Sequence, residues 1–229
     1  MNPAILYQGF CRPVAASFVT SASSSADASS YTYSTISLGA AASNRKIVVT
    51  VAAYGSGNGR TISSLTVGGV EATQVVAATI STNSPTAAIW IASVPTGITG
   101  DIVVTWTAGM IGCDIAVFRL IGASSTAKAT GTDIVNDGAN TVTLFVPGGG
   151  VVIAVVLVDS SDASGVSTTS WSATVTEVTD EAVDVGEEVS GSAAWKVYAA
   201  SQAALVVTAT ASVGVAGGGD VMAVASFGP

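Results

Sequence analysis

Apolar residues in this chain come in short runs rich in Val, Ile and Thr, and they hardly recur at the three-and-four spacing of an amphipathic helix. Ile47–Val51, Ala88–Ala92, Ile102–Trp106 and Val151–Val155 have the length and β-branched content of strands buried on at least one face. Between such runs stand Gly55–Gly59, Gly68–Gly69, Pro95–Gly97 and Gly217–Gly219, where glycine tolerates the positive φ of a chain reversal. The pattern predicts an all-β protein.

The second half of the chain can be laid on the first. Ile47–Tyr54 falls on Val151–Val158 at an offset of 104, and Asp101–Ala108 on Ala204–Ala211 at 103. Leu65–Val67 falls on Trp171–Ala173, Ala87–Ala92 on Ala193–Tyr198, and Asp114–Phe118 on Asp220–Val224, each at 106. Five collinear segments with so little drift point to an internal repeat. With Tyr31–Leu38 and Thr141–Val146 added in front, each half has about six predicted strands. The expected fold is a jelly-roll-like antiparallel β-sandwich built from two similar half-repeats, 31–121 and 122–229. No stretch of distinctive composition separates Leu120 from Thr141, so one compact body is expected.

Residues 1–30 differ. Ile5, Leu6, Tyr7 and Phe10 lie between Pro3 and Pro13, ahead of a Ser-rich stretch from Ser21 to Ser30 that reads as a flexible spacer. An apolar arm on a tether either covers an edge of its own sandwich or docks on a neighbouring subunit.

Charge narrows the partners. Seven Lys and Arg against 15 Asp and Glu give a net charge of -8, and the basic residues are scattered. Nucleic-acid binding needs them clustered, so it is not expected. Mean hydropathy is high at +0.61, yet the longest aliphatic run, Val151–Val158, ends at Asp159. A spanning helix takes about 18 apolar residues, so no membrane insertion of that kind is expected. A membrane β-barrel or a lipid anchor at Cys11 would need an export signal, and the first residues carry no basic start followed by a long apolar segment. Cys11 and Cys113 are then expected as two small buried thiols rather than a disulfide.

The chain has no histidine, which removes the usual general base, the Ser-His-Asp and Cys-His systems and most zinc or iron ligation. Carboxylates remain, eight of the fifteen between Asp159 and Glu188. Glu177 and Asp180 would be the pair for glycoside hydrolysis, which takes two carboxyls about 5 to 10 Å apart. Asp180–Glu188 reads as a loop, where acids form a solvated face, so no catalytic residue is assigned. Asp159-Ser-Ser-Asp162 lacks the ligand spacing of a calcium loop and reads as a polar turn. Gly148–Gly150 and Gly217–Gly219 precede no Lys-Ser or Lys-Thr and are not phosphate loops. No metal and no cofactor are expected. Of the four tryptophans, Trp90 and Trp106 sit in apolar strands and belong to the core, while Trp171, between two serines, is the candidate to stack on a sugar ring.

At Ile62–Val76 (ISSLTVGGVEATQVV), Ala87–Trp106 (AAIWIASVPTGITGDIVVTW) and Val221–Pro229 (VMAVASFGP) the chain resembles virion-associated β-sandwich proteins of tailed bacteriophages, over residues 18 to 229. The shared motifs are strands and turns, so no functional residue transfers with them. The resemblance implies a non-enzymatic structural protein, assembled in the host cytoplasm and released in the virion by lysis. Its partners would be other virion proteins and further copies of itself. Without coiled-coil heptads or a repeated shaft, a capsid-surface decoration fits better than a long fibre. A tail fibre or adhesin module binding host-surface carbohydrate is the alternative.

Overall fold

Strands that read as unbroken apolar runs need an apolar neighbour on both faces, and the architecture supplies one. The structure, a computed structural model, describes residues 12–55, 57–82, 84–136, 138–160, 167–184, 189–212 and 219–229, in which every regular element is a strand. The first half holds β1 (Ala15–Ser24), β2 (Ala28–Ser37), β3 (Arg45–Tyr54), β4 (Ile62–Val67), β5 (Val70–Glu71), β6 (Thr73–Thr79), β7 (Thr86–Ser93), β8 (Thr99–Met110) and β9 (Gly112–Ile121). The second holds β10 (Ala129–Val135), β11 (Ala139–Val146), β12 (Gly150–Asp159), β13 (Thr169–Trp171), β14 (Thr176–Asp184), β15 (Val189–Tyr198), β16 (Gln202–Ala211) and β17 (Asp220–Phe227).

These strands form four antiparallel sheets, ordered β1-β9-β3-β7-β6, β2-β8-β4-β5, β10-β17-β12-β15-β14 and β11-β16-β13. Taken in sequence order, the five-stranded sheets of the two halves have the same strand order, and the smaller sheets match apart from β5. The five-stranded sheets pack face to face in the middle and the smaller sheets cover their outer faces. Four layers thus enclose three apolar cores.

β3 and β12 each serve two cores. Ile47, Val49, Val51 and Ala53 face the outer sheet of the first half, whereas Val48, Ala52 and Tyr54 face the second half. Val152, Ala154, Val156 and Val158 face outward in the same way, and Val151, Ile153, Val155 and Leu157 face the first half. Burying a Val, Leu or Ile side chain contributes roughly 1.5–3 kcal/mol, so the central core alone welds the halves together. Phe118 crosses that seam, tilted against Trp195 with ring centroids 6.4 Å apart. Trp90 and Trp106 fill the outer core of the first half, as their strands predict.

The alternation of faces and the strand pairing correct three sequence offsets. An offset of 104 puts Ile47, which faces outward, on Val151, which faces the seam. The pairing gives two matching cross-strand rows instead: Ser23, Asp114, Ala52, Ala87 and Ala78 in the first half, and Ile134, Val221, Leu157, Gly191 and Glu181 in the second. Ala52 then answers Leu157 and Asp114 answers Val221, offsets of 105 and 107 in place of 104 and 106, and the same rows move Ala87 from Ala193 to Gly191, an offset of 104 in place of 106. Strands apolar on both faces carry no polar phase mark, so a one-residue slip is invisible in their sequence.

The Ser-rich stretch is also corrected. Ser21–Ser24 close β1, which pairs with β9, and Ala28–Ser30 open β2, so it is strand where a spacer was expected. Asp180–Asp184 likewise belong to β14 rather than to a loop. The arm residues Ile5, Leu6, Tyr7 and Phe10 lie outside the described residues, as do Cys11, Asp162, Glu187 and Glu188. The chain enters the body at the seam: the Val14 amide donates to the Gly149 carbonyl (2.8 Å) before β1 joins the first half. Gly149 has φ +72°, and a Cβ there would stand 3.0 Å from the Pro13 Cα.

One charged side chain is part of the scaffold. Arg45, 1% exposed, donates from Nε to Val94 O, from Nη1 to Leu38 O and Gly39 O, and from Nη2 to Thr96 O and Gly97 O. All five guanidinium donors are used on backbone carbonyls, which ties two loops of the first half to β3.

Candidate functional site

The residues the sequence singled out for chemistry in the second half converge at one edge of its sandwich. β13 carries Trp171, and β14 carries Glu177 and Asp180 on the face turned towards β13 and β16. A bulge between Glu177 and Thr179 shifts the register against β15 and sets Glu177 beside Ser192. The Trp171 Nε1–H donates to Ser192 Oγ at 2.8 Å. The Ser192 hydroxyl in turn points to Glu177 Oε1 (3.0 Å) and to the Thr179 carbonyl (2.7 Å), its single proton serving either. Asp180 Oδ2 accepts from the Thr169 amide at 3.0 Å.

Both carboxyls are pushed above the ordinary range. Desolvation leads in each case; for Glu177 the Ser192 bond opposes it and the charge of Asp180 adds to it. For Asp180 the Thr169 amide opposes and Glu181 adds. The hydroxyls of Thr169 and Ser190, both buried nearby, find no partner among the described residues. This edge is a polar, oxygen-lined rim around a tryptophan. Trp171 itself is half-buried and packs on the outer core of the second half, with its indole N–H already committed to Ser192.

No family model, no curated protein and no solved structure matches the chain.

Other sequence candidates stay apart from this rim. Asp159 ends β12, 7% exposed, with its amide donating to Asp220 Oδ1 at 3.1 Å. Among the described residues no three or more His, Cys, Asp or Glu side chains gather as metal ligands. Cys113 is a fully buried thiol at the opposite face of β9 from Asp114, and burial pushes it up to about 12.

Sequence reasoning passed over Asp114 and Arg45. Asp114 opens Asp114–Phe118, a segment otherwise apolar and used only to align strands. An acid inside such a strand, answered by Val221 in the other half, was the available signal, hidden by the one-residue slip.

Proposed function

We propose that this chain is a non-enzymatic structural protein of a tailed-bacteriophage virion, seated on the capsid surface as a decoration. The observation that carries the reading, together with the resemblance of its strand motifs, is the four-layer stack with three apolar cores. Such a block buries three layers of apolar side chains and one fully hydrogen-bonded arginine in its interior. Its outer faces carry rows of hydroxyls, with Ser30 beside Thr105 at 3.5 Å and Thr141 beside Thr208 at 3.2 Å. A stiff body with a hydrated surface rich in hydroxyls suits a coat component exposed in many copies. In this reading Ile5, Leu6, Tyr7 and Phe10 form a docking arm that reaches another subunit or shell protein. The fixed point at Val14 and Gly149 would anchor it to both halves. Mass spectrometry of purified particles tests the proposal: the protein is expected among the virion proteins, and its absence would reject the idea.

The convergence of Trp171, Glu177 and Asp180 supports a second reading, an adhesin or tail-fibre module that binds host-surface carbohydrate at that rim. A glycan array separates the two. Binding that Trp171→Ala abolishes favours the adhesin, and an empty array favours the coat protein.

A further inference from the structure

The central core is apolar at one end and polar at the other. The cross-strand rows through Ala52 and Leu157 run antiparallel across the seam, so Asp114 of one row comes to Gly191 and Glu181 of the other. At the other end β17, which carries Val221, packs on β6, which carries Ala78, and both residues belong to the apolar core. Where one end of the seam has Val221 and Ala78, the related end has Asp114 and Glu181.

Asp114 is 6% exposed, and among the described residues neither of its carboxylate oxygens has a hydrogen-bond partner. It borders a cavity of ≈ 10 Å³, the size of one water, also lined by Thr50, Thr179, Glu181 and Ser192. A buried charge without a partner costs far more than a neutral carboxyl in the same place, so the site favours the protonated acid. Around it, β3 contributes Thr50 and Ala52, β15 contributes Gly191 and Ser192, and β14 contributes Glu181, a second negative group. Ser23 is its neighbour on β1, and behind β9 lie the Cys113 thiol and the Tyr33 hydroxyl, which donates to the Cys113 carbonyl. Among the described residues no cation acts on its charge.

We propose that Asp114 is a pH-sensitive joint between the two halves: with its proton it closes the seam, and as pH rises its readiness to ionise in water favours opening there. Burial, then the charge of Glu181, push its carboxyl up to about 8. In an opened seam it would return to the ordinary value of about 3.9, so each pH unit between these limits favours opening by up to about tenfold. Above the native value both forms are ionised and the effect levels off.

Hydrogen exchange of segments 112–118 and 176–195, corrected for the intrinsic pH dependence and followed from pH 5 to 9, tests this on the full chain. Protection should fall with rising pH and level off near pH 8, while Asp114→Asn should stay flat across the range. Equal pH dependence in Asp114→Asn would overturn the proposal. If that variant fails to fold, Glu181→Gln decides: removing the neighbouring charge should move the levelling point to lower pH, and an unmoved point would overturn it. Millimolar calcium restoring protection at pH 8 in the wild type would also overturn it, because the pair would then hold a cation rather than a proton.

Discussion

Gly191 on β15 stands against Ala52 on β3 so closely that a Cβ at position 191 would lie 2.7 Å from the Ala52 Cβ. Val183 Cγ2 and Asp114 Oδ2, each 3.3 Å away, close the remaining sides. The two central sheets approach to this distance because one of them carries no side chain there.

Gly191→Ala should therefore destabilise the protein by about 1–3 kcal/mol, the range for overpacking a filled core. Urea denaturation checks it. The double variant with Ala52→Gly should recover most of the loss, since the collision is between these two positions.

Removing the Arg45 side chain leaves five backbone carbonyls without their donor. Arg45→Ala should cost at least about 3 kcal/mol, since each buried carbonyl left without a donor costs about 1–3 kcal/mol and water can reach only some of the five. Arg45→Lys keeps the charge but cannot reach carbonyls in both loops at once, so it should recover only a minor part. Midpoints of chemical unfolding give both values.

How far the sequence carried can be judged strand by strand. The strands it missed, β1, β5, β6, β10 and β14, all stand at sheet edges. An edge strand pairs on one side only and carries Ser, Thr, Ala or acids in place of a Val-rich run, so its pattern resembles a loop. The central β3 and β12 were evident from their unbroken apolar runs, and the same property concealed their phase. The all-β class, the cores around Trp90 and Trp106 and the acidic bias of the second half were legible. The meeting of Trp171 with Glu177, and the position of Asp114 in the seam, depend on how sheets stack, which no local pattern encodes.

Thermal stability should carry the signature of Asp114. A carboxyl at about 8 in the folded protein and about 3.9 unfolded makes the unfolded state lose its proton first. Its contribution is fully present below pH 4 and is lost between pH 4 and 8, by at most about 1.4 kcal/mol per unit. Asp114→Asn should remove that part of the slope and leave the variant more stable than the wild type at pH 8, as calorimetry across the range would record.

Cys113 should be inert in the native protein. Its thiol is fully buried and held up to about 12, so almost no thiolate forms at pH 8. In a Cys11→Ser background a thiol-reactive dye should label no residue until denaturant is added, and then one.

The coat role proposed above is tested most directly by cryo-electron microscopy of intact particles purified from the lysate in which the chain is made. The account predicts a repeated four-layer β block on the outer surface of the head, with density running from its Val14 end to a neighbouring subunit. Particles whose surface is fully explained by other proteins, or the same block found only at a fibre tip, would contradict it.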